Sequence, residues 1–167
     1  YNVFVTTVYA NNVIFSGTGN RTLRSDRNIQ VSGNVTINGA TLVFNGKNLT
    51  LLGNLNINGG HSTGTGSLVL AGSLEQKIAS TETITMTGIE IDNQNGVVAN
   101  CDVKLSKLKL INGVLKLGDN NIIIISSAIT AIEGGSSSSY VDGKMTRKMS
   151  SGSEYKFPVG DASRYGE

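Results

Sequence analysis

One stretch of this chain occurs twice. Gly33-Asn34-Val35-Thr36-Ile37-Asn38-Gly39 returns as Gly53-Asn54-Leu55-Asn56-Ile57-Asn58-Gly59, and Asn48-Leu49-Thr50-Leu51-Leu52-Gly53 returns as Ser67-Leu68-Val69-Leu70-Ala71-Gly72. A period of about 20 residues requires every copy to adopt the same small unit and to bury its apolar face against the next copy. Inside each period, apolar and polar residues alternate over three or four positions, as in Val35-Thr36-Ile37, Leu49-Thr50-Leu51, Leu68-Val69-Leu70, Val103-Lys104-Leu105 and Leu115-Lys116-Leu117. That is the pattern of short strands with one buried side. Asn38-Gly39, Asn45-Gly46, Asn58-Gly59, Asn95-Gly96, Asn112-Gly113 and Gly118-Asp119 separate them. Such residues enter left-handed backbone conformations at little cost and make sharp corners.

An antiparallel sandwich and a parallel solenoid both use short strands. Sandwich strands are usually longer, with turns about every 8–12 residues, whereas three small strands and three corners in one period form a rung that stacks on the next at about 4.8 Å. The sequence therefore predicts an all-β chain folded as a right-handed single-stranded parallel β-helix, a solenoid with terminal caps and a C-terminal β-hairpin. The rungs are expected at about 28–47, 48–66, 67–86, 87–107 and 108–127. Residues 1–27 are expected to form N-terminal strands or a cap, 28–127 the rungs, and 128–167 a C-terminal loop and hairpin module, the whole reading as a piece of a larger protein.

An open solenoid end would recruit other chains by edge pairing, so caps are expected. Tyr1, Phe4, Tyr9 and Phe15, followed by Arg21, Arg24 and Arg27, suit an atypical first rung. At the other end, Gly134 to Ser139 reads as a flexible connection, and Tyr140 to Arg147 with Glu154 to Gly160 as the two strands of the hairpin. His61-Ser62-Thr63-Gly64-Thr65-Gly66 falls where a strand is due, but its composition cannot bury an apolar face, so a loop or polar bulge is expected.

Charge and composition exclude several classes. With 14 Lys+Arg against 12 Asp+Glu, the net charge of +2 leaves no basic footprint for nucleic acid. No apolar run approaches the ~20 residues of a spanning helix, so no membrane insertion is expected. The single cysteine, Cys101, rules out an internal disulfide and a thiolate zinc cage.

Candidate chemistry is sparse, and the reading is non-enzymatic with no cofactor and no metal. His61, the only imidazole, has no carboxylate nearby in sequence to orient it as a base. Cys101 opens a strand with no adjacent cation and reads as a buried structural thiol. Glu75, Glu82, Glu90, Asp92, Asp102 and Asp119 are dispersed over strands and corners, unlike the paired carboxylates of a glycosidase. Asp92-Asn93-Gln94-Asn95-Gly96 and Gly118-Asp119-Asn120-Asn121 offer oxygens for Ca²⁺, but turn chemistry alone accounts for them. Asn38 and Asn58, one period apart, are expected to stack as a side-chain ladder. Lys104, Lys107, Lys109 and Lys116 alternate with inward leucines and form the candidate contact for acidic glycans.

The C-terminal residues add a likeness. Gly135-Ser136-Ser137-Ser138-Ser139-Tyr140-Val141-Asp142-Gly143, then Thr146-Arg147, then Phe157-Pro158-Val159-Gly160-Asp161, resembles a module of the large repetitive surface proteins of Bacteroidota. Upstream, Glu75-Gln76-Lys77-Ile78, Ile89-Glu90-Ile91-Asp92-Asn93, Gly96-Val97-Val98 and the Leu105-to-Leu117 ladder are similar to that family's pattern, so the likeness covers about residues 28–167. Lys144-Met145 departs from the commonest form, and no sorting domain is visible. The resemblance implies export by type IX secretion, an extracellular location at the cell surface or in secreted form, and an adhesive or structural role. Its implied partners are surface glycans, neighbouring modules of the same protein, and the secretion machinery during export. The rival expectation is a glycan-binding or carbohydrate-active domain on the same scaffold.

Overall fold

A computed structural model describes residues 7–9, 11–24 and 26–166. Tyr1, Phe4 and the side chain of Tyr9, assigned above to the N-terminal cap, lie outside the described residues, as does Glu167.

Each of the first three windings uses three separate strands, one per face. The first contains β1 (Thr7–Tyr9), β2 (Val13–Ser16) and β3 (Asn20–Thr22), the second β4 (Ile29–Val31), β5 (Val35–Asn38) and β6 (Thr41–Val43), and the third β7 (Leu49–Leu51), β8 (Leu55–Asn58) and β9 (His61–Thr63). Then follow β10 (Leu68–Leu70), β11 (Gln76–Ala79), β12 (Ile84–Asp92), β13 (Val97–Ala99), β14 (Val103–Asn112), β15 (Leu115–Ile124), β16 (Ile132–Gly134), β17 (Val141–Arg147), β18 (Val159–Asp161) and β19 (Arg164–Gly166). A single 3-10 turn, Ile129–Ala131, is the one helical element among the described residues. Strands of successive windings pair in parallel, and the result is an all-β solenoid of about seven turns.

The repeat noted in the sequence is the register of this stack. Val35 lies beside Leu55, Ile37 beside Ile57 and Asn38 beside Asn58, while Leu49 lies beside Leu68 and Leu51 beside Leu70. Alternation then delivers one side chain in two to the interior. The inward positions form one continuous apolar cluster from Leu23 to Val141. A parallel ladder with matched apolar residues in every step satisfies the backbone and fills the shaft together.

Three strands exceed the length expected of a face. β12 has nine residues, and β14 and β15 have ten each. In β12 the buried side chains are Ile84 and Met86, then Ile89 and Ile91. The parity changes at Gly88, so the strand turns a corner without breaking its ladder and serves two faces. β15 also serves two faces, but its pairing to β17 is interrupted between Lys116 and Asn121, at the Gly118-Asp119 corner.

Several expectations are corrected. His61–Thr63 is a strand and not a loop: it pairs with β6, and Ser62 points inward at 4% exposure. The buried hydroxyl is acceptable because it accepts a 2.8 Å bond from Thr87 N and lies 3.1 Å from Thr87 Oγ1. Asn38 and Asn58 are in register but exposed, and no hydrogen bond joins their side chains. The ladder runs through other asparagines. Asn12 Oδ1 accepts from Asn34 N at 2.7 Å, Asn34 Oδ1 from Asn54 N at 2.7 Å, and Asn54 Oδ1 from Lys77 N at 2.8 Å. A parallel column joins Asn28, Asn48 and Ser67 N. These amides bridge side chain to backbone across windings, at corners where the strand ladder is interrupted.

The C-terminal hairpin uses different strands from those expected. β17 continues the stack on β15, β18 pairs with β17 in parallel, and the antiparallel hairpin is β18 with β19. Asp161 Oδ1 holds its turn, accepting from Ser163 N, Ser163 Oγ and Arg164 N at 2.7–2.9 Å. The segment 148–158 is fastened to the last winding by Arg147. Its guanidinium donates to Lys156 O at 3.1 Å and to Ala128 O at 2.8 Å, and its carbon lies 4.4 Å from the centre of the Tyr155 ring.

Candidate functional site

The outward face of β14 and β15 carries the four lysines, and the stack separates them. Lys104 stands between Thr85 and Ile123 of the adjacent windings. Lys109 stands between Glu90 and Glu133. Lys116 lies on a different face, between Val98 and Asp142. Three of them are paired: Lys107 Nζ with Glu133 Oε1 at 2.8 Å, Lys109 Nζ with Glu90 Oε2 at 3.2 Å, and Lys116 Nζ with Glu75 Oε2 at 2.8 Å. The hydrogen bond and charge of Lys116 hold the Glu75 carboxyl below its ordinary range, and the same contact raises Lys116. Lys104 has no acidic partner within ion-pair distance among the described residues. The four do not form one cationic patch, because cross-winding glutamates neutralise three of them.

Two more of the dispersed acids, Asp92 and Asp102, are also engaged. Asp92 Oδ1 accepts from Asn112 Nδ2 at 2.6 Å, and Asp102 Oδ1 accepts from Asn121 N at 2.8 Å and its Nδ2 at 3.2 Å. Glu90 and Asp92 lie on the same outer side of β12, but each is turned to a different partner one winding away. Glu82, Cys101 and Asp102 line an open groove of about 250 Å³. Burial, with a contribution from the Asp102 charge, pushes the Cys101 thiol up to about 11, far from the thiolate a nucleophile needs. His61 is exposed on β9, with Nε2 at 3.4 Å from Thr41 Oγ1.

In the first oxygen-rich corner, Asn93 is bonded to the preceding winding and to its own turn. Asn93 is buried at 1% exposure. Its amide nitrogen donates to Leu74 O at 2.7 Å and to Gln76 Oε1 at 3.0 Å, and its oxygen accepts from Asn95 N at 2.9 Å. No group of three His, Cys, Asp or Glu side chains suited to a metal ion occurs among the described residues. Gln76, missed in the sequence, is the centre of this network. Its Oε1 also accepts from Gly72 N at 2.7 Å, and its Nε2 donates to Leu51 O at 3.0 Å and to Gly53 O. The available signal was parity: Gln76 shares the inward side of β11 with Ile78.

No family model, curated protein or solved structure matches this chain. The residues that carry the surface-protein likeness can nevertheless be given physical roles. Ser139 is fully buried and donates to Gly113 O at 3.2 Å, and the Tyr140 hydroxyl donates to Asp161 O at 2.8 Å. Gly135, at φ +98°, lies so close to Pro158 that an added Cβ would come within 2.7 Å of the proline Cβ. Gly143, at φ +141°, leaves the same space for Leu117. Tyr140 and Tyr165 sit with ring centres 5.9 Å apart. Ser139, Tyr140, Val141 and Arg147 of the motif are buried in the final windings, whereas Ser136, Ser137, Ser138 and Asp161 are exposed. Beside them, Tyr155, Lys156, Phe157, Pro158 and Tyr165 line a groove of about 120 Å³.

Proposed function

We propose that this chain is a non-enzymatic structural or adhesive module of an extracellular bacterial surface protein exported by the type IX route. The observation that carries the reading is how the outward charges are used. Lys107, Lys109 and Lys116 bind glutamates of other windings, and Asp92 and Asp102 bind asparagines of other windings, so side chains that would do chemistry elsewhere tie the stack together. A shaft stitched inside by apolar contacts and outside by cross-winding bonds suits a load-bearing spacer. Its adhesion would arise from weak contacts repeated along neighbouring modules. The export route rests on the motif likeness of residues 135–161 alone.

Labelling intact cells of the source bacterium with an antibody against the chain tests the location. Surface signal before lysis is expected, and signal only after lysis overturns the reading. A glycan-binding role is favoured by one observation, the groove of Tyr155, Phe157, Pro158 and Tyr165, since aromatic faces with nearby polar groups suit sugar rings. Retention on an immobilised polysaccharide that is lost in Tyr155→Ala would support it. For the lysines, salt-sensitive retention on an anionic polysaccharide should weaken in Lys107→Glu plus Lys109→Glu, and equal retention eliminates them as a contact.

A further inference from the structure

The chain has five Asn-Gly pairs, at Asn38, Asn45, Asn58, Asn95 and Asn112. Such a pair can rearrange by itself when the glycine nitrogen reaches the asparagine side-chain carbonyl carbon. Two restraints oppose that attack: a hydrogen bond that holds the glycine N–H, and one that holds the asparagine side-chain amide. The solenoid imposes them unequally.

At Asn45 both operate, since Gly46 N donates to Thr65 O at 2.7 Å and Asn45 Nδ2 to Leu23 O at 3.2 Å. They operate again at Asn95, where Gly96 N donates to Asn93 O at 2.8 Å and Asn95 Nδ2 to Ser73 O at 2.8 Å. Asn112 is held likewise, through Gly113 N to Ser138 O at 3.1 Å and Asn112 Nδ2 to Asp92 Oδ1 at 2.6 Å. Asn38 has a free side chain, but Gly39 N donates to Asn58 O at 3.1 Å. At Asn58 neither restraint exists among the described residues.

The cause lies in the stacking. Successive corners form a short ladder, Gly17 N to Asn38 O and then Gly39 N to Asn58 O. The next step would give Gly59 N an acceptor on the fourth winding. However, β11 pairs with β8 only at Ile78 with Leu55 and Ala79 with Asn56, and the chain leaves at Ser80 before covering the corner. Gly59 is therefore the end of the ladder. It sits at φ +62° with no atom within 4 Å of where a Cβ would be, and the Asn58 side chain is exposed.

We propose that Asn58 is a site of spontaneous covalent modification, converting to aspartate and isoaspartate far faster than the other four Asn-Gly pairs. The Gly59 nitrogen loses its proton to solvent base and bonds to Asn58 Cγ. The Cγ–Nδ2 bond breaks, and the amide nitrogen leaves as ammonia. The resulting five-membered succinimide takes up one water at either carbonyl and opens. One opening gives aspartate; the other gives isoaspartate, whose main chain runs through the former side-chain carbonyl. The net change is water in and ammonia out, with no redox partner. The product places a carboxylate next to Asn38 on the outer corner, and the isoaspartate also adds a backbone atom there.

Peptide mapping by mass spectrometry after timed incubation of the folded chain in mildly alkaline buffer tests this. Conversion at Asn58 is expected to exceed that at Asn38 by about tenfold, because Asn38 differs chiefly by one backbone hydrogen bond that must open first. The rate at Asn58 should rise with pH, as deprotonation of the amide requires. The same incubation in concentrated denaturant removes the selection, so the five pairs should converge. Asn58→Gln, at an exposed corner, should abolish conversion there and leave the other four unchanged. Equal conversion at Asn38 and Asn58 in the folded chain overturns the proposal, as does an intact Asn58 while any other pair reacts.

Discussion

Replacing Gln76 by leucine tests whether a buried amide or the apolar column holds the middle of the shaft. Gln76 is 2% exposed and accepts from Gly72 N and Asn93 Nδ2 while donating to Leu51 O and Gly53 O. Leucine fills a similar volume but strands two of those partners as buried donors, the Gly72 N–H and one hydrogen of the Asn93 amide. Leu51 O keeps its bond from Ala71 N, so its loss is partial. A buried donor left without an acceptor costs about 1–3 kcal/mol. Two of them, offset in part by the added apolar side chain, amount to about 3 kcal/mol. Urea unfolding followed by circular dichroism reads the change as a shift in midpoint at constant slope. Lys77→Ala, on the exposed neighbour, should stay within about 0.5 kcal/mol. A loss below about 1 kcal/mol in Gln76→Leu would refute the reasoning, because the network would then be ornamental. Asn93→Leu combined with Gln76→Leu should cost less than the sum of the two, since removing both partners strands fewer groups.

Arg147→Lys should loosen the C-terminal closure by about 2 kcal/mol, because a point charge cannot bridge Lys156 O and Ala128 O as the planar guanidinium does; hydrogen exchange should quicken in 128–131 and 148–158 and stay unchanged in β5 and β8. Cys101 should resist alkylation at neutral pH in the folded chain and react once the chain is unfolded in denaturant. Its folded thiol is pushed up to about 11, so its contribution to stability is fully present at neutral pH and is lost as pH rises from the ordinary thiol range through that value. The Asp161 carboxyl has the opposite sign: Ser163 and Arg164 bond to its charged form and lower it, so its contribution is present at neutral pH and lost as pH falls below the ordinary carboxylate range. Lower protection factors at Ser163 and Arg164 in acid, after division by the intrinsic exchange rate at each pH, with the solenoid core unchanged, check it.

The winding was legible because its register is written twice in plain residues: Val35, Ile37 and Asn38 recur as Leu55, Ile57 and Asn58, which pair one to one. Alternation also marked the inward face of β14 and with it the outward lysines. Other features were hidden for physical reasons. His61–Thr63 is polar at every position, and its inward Ser62 is acceptable only because Thr87 lies one winding away, a contact invisible along the chain. Asn34 and Asn54 share a period with Asn38 and Asn58, and periodicity alone cannot say which pair turns toward a backbone amide. The hairpin was misassigned because Glu154 to Gly160 carries apolar residues suited to a strand, while only its last residues meet the stack, in parallel. The lysine surface read as one patch because the glutamates that neutralise it come from distant segments.

The corners of this stack have unequal lengths although the faces stay matched. From Leu49 to Leu68 the step is 19 residues, and from Leu108 to Ile132 it is 24. Surplus residues are looped outward where they cost the interior nothing. The scaffold thus separates what must be conserved in shape from what is free to vary, and a foreign epitope spliced into the exposed Thr81–Thr83 bend would be displayed on a rigid rod without disturbing the rod's own assembly.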